Sequence, residues 1–346
     1  MKTTLALLLL SAGALALTAE PYLAAEKSRF GATIEGAAVD KVGNIYAVSF
    51  DGSAGQAGQV TGEQKLLFQS AEEGALVNSI RFSLGKDGAE EAFVGDAALH
   101  QVYRLTGRKS DGTFANTATV CKDARMLQPN DLALAPSSGR LFLSGMNYTA
   151  GTGDLWTCDS AGVATLLGTF ARTNGIEVSP DEKTLYLSEA ENGKDGAVVA
   201  NRVLAFDLDA ASGAVSNKRV FVDFGKLDQT EATDVDGMRT DTSGNLYVTR
   251  NGIGKVSVFS PAGKQIDTIV LPSIDFVANL EFGGPSGTDL YMVGKCKADD
   301  TKGCVDVYRG TAVGRAFKTL SGSGEPEPTP ETPPSGCAKT GRKLRK

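Results

Sequence analysis

One phrase recurs six times along this 346-residue chain and constrains its fold more than any other feature. In each copy, a turn rich in glycine or charge leads into a short apolar strand with an aromatic residue near its start. These aromatic residues are Tyr46, Phe93, Phe142, Tyr186, Tyr247 and Tyr291. They lie 47, 49, 44, 61 and 44 residues apart, and the long interval contains the insertion ENGKDGAVVANR. Strand-rich units that repeat roughly every 40–50 residues are typical of β-propellers. The sequence therefore predicts an all-β, six-bladed β-propeller.

A second set of residues keeps register with these aromatics. A carboxylate or carboxamide precedes five of them by eleven or twelve residues, and precedes Phe93 by fifteen. The six residues are Glu35, Asn78, Asn130, Asn174, Asp236 and Asn279. Each alone is equally explained as a turn residue, since Asn and Asp favour loops. Because the innermost strands line the channel of a propeller, the shared register predicts a ring of oxygens at one mouth. Two carboxylates with amide oxygens suit a divalent metal, Ca²⁺ first, then Mg²⁺ or Mn²⁺, and Zn²⁺ less well.

The stretches around these residues resemble a known family. The resemblance is carried by TNGIEVSPDEKTLYLSEA, DVDGMRTDTSGNLYVTRNGIGKVSVFSPAGK and NLEFGGPSGTDLYMV, with looser matches in QPNDLALAPSSGRLFLS and IEGAAVDKVGNIYAV. These are similar to the senescence-marker-protein/gluconolactonase/luciferin-regenerating-enzyme-like family, whose relatives include regucalcin, lactonases and diisopropylfluorophosphatase. The resemblance covers roughly residues 30 to 310. It implies one catalytic divalent metal in the channel and hydrolysis of lactones or, in some members, of organophosphates.

The resemblance also implies roles for individual residues. Glu35, Asn174 and Asp236 would be the metal ligands, and Asn130 would lie beside the metal and contact the substrate. The metal would act as a Lewis acid on a carbonyl or phosphoryl oxygen. Asp236, with Asn130 as the second catalytic residue, would activate a water as a general base or attack directly as a nucleophile.

Gln128 and Asn279 complete the predicted substrate contacts.

The sequence departs from the family pattern at two positions. Gln128 stands where relatives that act on sugar lactones often have Arg, which argues against gluconolactone itself as the substrate. Glu35 is followed by Gly36-Ala37, where the family usually has Ser-Pro.

Other functional classes have less support. The net charge of −6 comes without a basic stripe, which argues against a nucleic-acid partner. The sequence contains no Gly-x-Ser-x-Gly motif and no nucleotide-binding loop, and no partner is evident for His100, the only histidine. The competing interpretation is a non-enzymatic propeller that binds a glycan or a protein and keeps the metal for structure. A coordination position on the metal that is open and faces a pocket would favour catalysis over a structural role.

We expect the protein to be a monomer.

The two ends of the chain differ in composition from the predicted propeller, residues 28–320. Residues 1–19 combine Lys2 with an apolar run and small residues, as in a secretory signal peptide cut after Ala16 or Ala19. The run is short for a membrane span, which needs about 20 residues; an uncleaved anchor is the alternative. Residues 321–346 are rich in Pro, Glu, Ser and Gly and then basic, which predicts a disordered tail. We therefore expect a secreted protein.

Secretion makes disulfides and glycosylation relevant. Cys296 and Cys304 flank KADDTKG between two strand-like runs, so a cross-strand disulfide is expected. Cys121 and Cys158 pair by elimination, which leaves Cys337 in the tail. Asn147 begins the glycosylation sequon Asn-Tyr-Thr.

Overall fold

The computed structural model of the chain describes residues 16–230, 232 and 235–322. Most of the predicted signal peptide (residues 1–15) and nearly all of the predicted tail, including Cys337, lie outside these residues. The described strands form six sheets, which confirms the predicted all-β, six-bladed propeller. None of the helices in this part of the chain is long and apolar enough to cross a membrane.

The first half of the chain contains two leading strands and three blades. The leading strands are β1 (Leu17–Thr18) and β2 (Glu20–Leu23), followed by a 3₁₀ turn at Ala25–Lys27. Blade 1 contains β3 (Ala38–Val39), β4 (Ile45–Val48), β5 (Gln56–Gln59) and β6 (Leu66–Gln69). Blade 2 contains β7 (Val77–Leu84), β8 (Glu90–Asp96), β9 (Gln101–Arg108) and β10 (Phe114–Lys122). Blade 3 contains β11 (Gln128–Ala135), β12 (Arg140–Asn147), β13 (Thr152–Cys158) and β14 (Ala164–Phe170).

The second half is built in the same way. Blade 4 contains β15 (Ile176–Val178), β16 (Thr184–Asn192), β17 (Val198–Asp209) and β18 (Ala214–Asp223), and helix α1 (Phe224–Leu227) follows it. Blade 5 contains β19 (Val235–Thr240), β20 (Leu246–Arg250), β21 (Lys255–Phe259) and β22 (Gln265–Val270). Blade 6 contains β23 (Ile274–Gly283), β24 (Asp289–Cys296) and β25 (Gly303–Arg309), and helix α2 (Arg315–Ser321) follows it.

The first strands of the blades form the inner ring. Strands β3, β7, β11, β15, β19 and β23 contact one another in this order, and β23 contacts β3. The leading strands close the circle of blades by pairing with strands of blades 5 and 6. β2 pairs antiparallel with β25 as the fourth strand of blade 6, and β1 pairs parallel with β22. Both strands precede residue 28, where the sequence places the start of the propeller.

The six repeated aromatics are buried on the second strands of their blades. Tyr46 shows how one copy of the phrase builds a blade. Asp40 Oδ1 accepts hydrogen bonds from the Val42 N–H at 3.1 Å, which closes an Asx turn, and from the Asn44 N–H at 2.8 Å. Asp40 Oδ2 accepts one from the Tyr46 hydroxyl at 3.0 Å. Asp241 makes the same contacts before Tyr247. In blades 1 and 5 the turn and the aromatic are therefore one local unit.

A charged layer fills the channel below the starts of the inner strands. It consists of Arg81, Asp131, Arg239 and Glu281, all buried. Arg81 Nη2 lies 2.7 Å from Asp131 Oδ1, and Arg239 Nε lies 2.9 Å from Glu281 Oε2. Both guanidinium groups also donate to the carbonyl oxygen of Ala37, directly before β3, at 3.3 and 2.8 Å. The layer thus ties four inner strands to a fifth.

Helix α2 covers the far end of this layer. Its first residue, Arg315, places Nη2 3.0 Å from Oε1 of the buried Glu177 on β15. Phe317 and Leu320 pack into the core cluster that contains Phe82 of β7. Paired charges and α2 therefore occupy the channel on the side away from the strand starts.

Both predicted disulfides are present. Cys121 of β10 and Cys158 of β13 have Cα atoms 6.1 Å apart and join blades 2 and 3. Cys296 of β24 and Cys304 of β25 have Cα atoms 4.9 Å apart and join neighbouring strands of blade 6.

Candidate metal centre

Several ring residues lie at irregularities of the inner strands. Asn78 and Asn130 are the extra residues where the pairing of β7 and β11 with their neighbours skips one position. In β19 the pairing is interrupted at Asp236. A β-bulge of this kind re-aims a side chain relative to the regular pleat. In β23 the skipped residue is instead Ala278, and Asn279 keeps its place in the ladder.

Glycine follows three ring residues because adjacent inner strands approach each other closely there. The pairs are Glu35-Gly36, Asn174-Gly175 and Asp236-Gly237. A Cβ on Gly36, whose φ is 63°, would lie 2.8 Å from the carbonyl oxygen of Asn78, and one on Gly237 would lie 2.6 Å from the Asn279 Cγ. A Cβ on Gly175 would overlap the carbonyl oxygen of Asp236. Each glycine thus faces the ring residue of the next blade, so the Asn-Gly and Asp-Gly pairs serve packing between blades.

Gly175→Ala is expected to lower the free energy of unfolding by about 2 kcal/mol, since overpacking a tight site costs about 1–3 kcal/mol. The added methyl group would also lie 2.9 Å from the Gly237 Cα. Urea unfolding measures the change. Gly55→Ala is the matched control, because its Cβ would meet no atom closer than 3.9 Å. Equal stability of the two variants would contradict the proposed close approach.

Three of the predicted site oxygens have no hydrogen-bond partner. Asn130 Oδ1, Asn174 Oδ1 and Asp236 Oδ1 are buried and unpaired within the part of the chain that the structure describes. A buried polar atom left without a partner costs about 1–3 kcal/mol, so oxygens from three neighbouring inner strands fit a bound cation. Among the described residues, no three His, Cys, Asp or Glu side chains form a metal-binding group; the predicted ligand set has only two carboxylates, and its other donor is an amide.

The two carboxyl groups of the predicted set lie in an unfavourable environment for negative charge. Burial raises the pKa of Asp236 to about 8; a hydrogen bond from Asn251 opposes this effect and the charge of Asp131 adds to it. Burial also raises the pKa of Glu35 well above its ordinary value, with repulsion from Asp236 and then Asp131 adding to the effect. A nearby dication would reverse this balance. The electrostatics therefore favour either protons or a cation.

Two amides hold these carboxylates in place. Asn251 Nδ2 donates to Asp236 Oδ2 at 3.0 Å, and hydrogen bonds from the Gly237 backbone and the Asn174 side chain also lower the pKa of Asp236. Asn78 bonds the Glu35 carboxylate and donates to the carbonyl oxygen of Asn130 at 3.3 Å. Nothing in the sequence singles out Asn251, because an Asn-Gly pair between two strands also fits an ordinary hairpin turn.

The predicted substrate contacts lie in two different settings. Gln128 is half-buried at the start of β11 and lines a surface pocket. Asn279 is buried beside the charged layer, where Nδ2 donates to Asp131 Oδ2 at 3.4 Å and Oδ1 accepts from the Leu280 N–H at 2.9 Å. Both polar atoms of Asn279 are thus used within the protein.

Asn147, the predicted glycosylation site, lies at the end of β12. Its side chain is exposed, and its Oδ1 accepts a hydrogen bond from the Ala150 N–H at 2.9 Å. Glycosylation of this residue stays a prediction.

Comparison with known proteins places these features in context. The family model described as SMP-30/Gluconolactonase/LRE-like region matches residues 83–295. Regucalcin of Xenopus laevis is 36% identical over 129 residues, which are 37% of this chain and 39% of that protein. Regucalcin of Oryctolagus cuniculus is 32% identical over 121 residues, which are 35% of this chain and 36% of that protein. The aligned part therefore spans well under half the length of these curated relatives.

Solved structures match over most of the chain. A calcium-binding protein, regucalcin from Agrobacterium tumefaciens, has a TM-score of 0.65 and 19% identity, covering 87% of this chain and 97% of that one. A luciferin-regenerating enzyme has a TM-score of 0.64 and 21% identity, covering 85% and 99%. A gluconolactonase from Xanthomonas campestris has a TM-score of 0.59 and 18% identity, covering 87% and 99%. At these identities the likeness concerns the propeller fold.

Proposed function

We propose that this chain, which belongs to the SMP-30/Gluconolactonase/LRE-like family, is a metal-dependent hydrolase. It would open a lactone at the mouth of the channel where Glu35, Asn174 and Asp236 lie. Esters and phosphotriesters are further candidate substrates. One observation carries the proposal: among the described residues, Asn130, Asn174 and Asp236 each have a buried side-chain oxygen without a hydrogen-bond partner, and the carboxyl group of Glu35 lies close enough to Asp236 to be repelled by its charge.

Glu35, Asn174 and Asp236 would hold the metal, Ca²⁺ by preference for oxygen donors, and Asn130 would lie beside it. When bound, such a metal supplies Lewis acidity that stabilises the oxyanion formed on the substrate. Asp236 contributes Oδ1, either as the base that takes a proton from water or as the nucleophile, while Asn251 fixes Oδ2. The Asn130 amide positions the substrate. Because the charged layer and α2 fill the other end of the channel, the substrate enters from the ring side.

The proposal includes secretion. Residues 1–19 would direct export, and two disulfides suit an oxidising compartment. Cleavage after Ala16 would retain β1, whereas cleavage after Ala19 would remove it. Either site preserves β2, which closes the propeller.

The proposed function is tested on the mature protein with a panel of aliphatic, aromatic and sugar lactones and a phosphotriester, with added Ca²⁺ and after chelation. We expect turnover of at least one lactone, its loss on chelation and its recovery when Ca²⁺ is returned. Metal binding by calorimetry without turnover of any substrate would reject the enzyme in favour of a propeller that binds a glycan or a protein. If turnover continued after chelation, the proposed dependence of the reaction on a metal would be wrong.

A further inference from the structure

A cavity of about 520 Å³ opens between blades 2 and 3 on the same face as the ring. We call it the loop pocket, and it is formed by the β8–β9 turn, the β10–β11 connection and the β12–β13 turn. Gln128 lines it and stands two residues before Asn130 on the same strand. Its size falls within the range of small-molecule sites, about 300–1,000 Å³. A molecule held at the ring would therefore have a ready subsite beside it.

His100 gives the loop pocket a polar anchor. Its backbone is left-handed, with φ of 54°, and its carbonyl oxygen accepts a hydrogen bond from the Asp123 N–H at 3.2 Å, so the turn fixes its position. Its Nδ1 is buried without a partner in the described part of the chain, and the same is true of Asp154 Oδ1. Because protein atoms cover Nδ1, Nε2 is the ring nitrogen through which His100 would contact a ligand in the pocket that it lines. Burial raises the pKa of Asp154, and the nearby His100 opposes that effect, so the two groups interact electrostatically. The other Asp154 oxygen accepts bonds from the Leu127 N–H and from Trp156 Nε1, at 2.8 and 2.6 Å.

Part of the loop pocket lining is apolar and adaptable. Met126, Met146 and Tyr148 line it, and methionine side chains adjust to irregular ligands. The cation at its edge, Arg125, is paired with Asp123 at 2.6 Å. The lining therefore combines hydrogen-bonding side chains with apolar surface, and its one arginine is paired with Asp123.

We propose that the loop pocket binds an uncharged amide substituent of the lactone, with His100 and Gln128 hydrogen-bonding the amide and the methionines contacting its acyl chain. The substrate class is then a lactone with an acylamino side group, and His100 is a specificity-determining residue. This inference rests on the proposed function. It accounts for Gln128, which replaces the cation expected for a sugar-acid substrate with a group that both donates to and accepts from an amide.

The test compares γ-butyrolactone with its α-acylamino derivative, using Ca²⁺-loaded protein from a host that does not glycosylate Asn147, which also lines the pocket. In His100→Asn, the shorter side chain tolerates the left-handed backbone and loses reach. We expect the ratio of kcat/KM for the acylamino lactone to that for the plain lactone to fall about tenfold, the effect of one lost hydrogen bond. Gln265→Ala, on the outer strand β22, is the control and should leave the ratio unchanged. An unchanged ratio in His100→Asn would overturn the inference.

A binding measurement separates this inference from the proposed function. His100 is the only histidine, so its imidazole proton signals are assigned directly in a one-dimensional NMR spectrum. The α-acylamino lactam, whose amide ring resists opening, should shift these signals, and the plain lactam should not. Absence of turnover together with this selective shift would reject the lactonase but retain the pocket. If both lactams shifted the His100 signals equally, or neither shifted them, the loop pocket would not be an amide-binding subsite, whether or not the protein hydrolyses lactones.

Discussion

Asp236→Asn is expected to abolish turnover and, in the same molecule, to stabilise the metal-free fold. Losing a positioned general base costs about 10²–10⁴-fold in rate, and loss of a carboxylate ligand weakens metal binding further, so we expect kcat/KM to fall at least a thousandfold. Stability changes in the opposite direction. Burial raises the pKa of the Asp236 carboxyl group to about 8, and the charge of Asp131 adds to the effect. A neutral amide of the same shape avoids the cost of burying that charge.

Lactone hydrolysis and urea unfolding in the presence of chelator measure the two effects. Asp306→Asn is a matched control, because Asp306 is also buried, with its pKa raised by burial and one oxygen unpaired. It lies on β25, away from the inner ring, and should leave turnover and Ca²⁺ affinity unchanged. If the Asp236→Asn variant kept metal-dependent turnover within tenfold of the parent protein, Asp236 would be neither a metal ligand nor a catalytic residue.

The register of the repeats predicted the blades and the ring because each blade is a local unit. The Asx turn at Asp40 and the hydroxyl of Tyr46 lie six residues apart, and blade 5 repeats the arrangement at Asp241 and Tyr247. The closure by β2 could not be predicted in this way. Glu20–Leu23 is a single short strand without its own repeat, and its partner β25 lies almost 300 residues away in the sequence.

The spacing of the six ring residues in the sequence does not predict which of their side chains are available to a ligand. Equal spacing predicted equivalent roles for Asn130 and Asn279, yet the bulge in β11 falls on Asn130 while that in β23 falls on Ala278. Asn130 consequently leaves Oδ1 unpaired, and Asn279 bonds to Asp131 and Leu280 instead. A bulge depends on contacts with neighbouring strands, which a single repeat does not encode. The glycine after the ring residue was visible in the sequence, but its cause, contact with the next blade, required the structure.

The metal-free protein is expected to lose stability as the pH rises from about 5 to 8, and bound Ca²⁺ is expected to remove most of that loss. The ordinary pKa of Asp236 is 3.8 and its pKa in the metal-free fold is about 8. Between these values the folded state holds a proton that the unfolded state has released, so the free energy of unfolding decreases as the pH rises. One such group gives a slope of about 1.4 kcal/mol per pH unit, and Glu35, whose pKa is also raised, acts in the same direction.

Urea unfolding at pH 5 and pH 8, with chelator and with Ca²⁺, measures this dependence. The cation replaces the protons, so its affinity should increase over the same pH range in which the metal-free fold weakens. In Asp236→Asn the slope of the metal-free protein should fall to the part contributed by Glu35 and by other buried carboxyl groups with a raised pKa, such as Asp154 and Asp306. A metal-free protein that became more stable between pH 5 and pH 8 would mean that Asp236 and Glu35 are already ionised and stabilised without a cation. The unpaired oxygens of Asn130, Asn174 and Asp236 would then need another occupant.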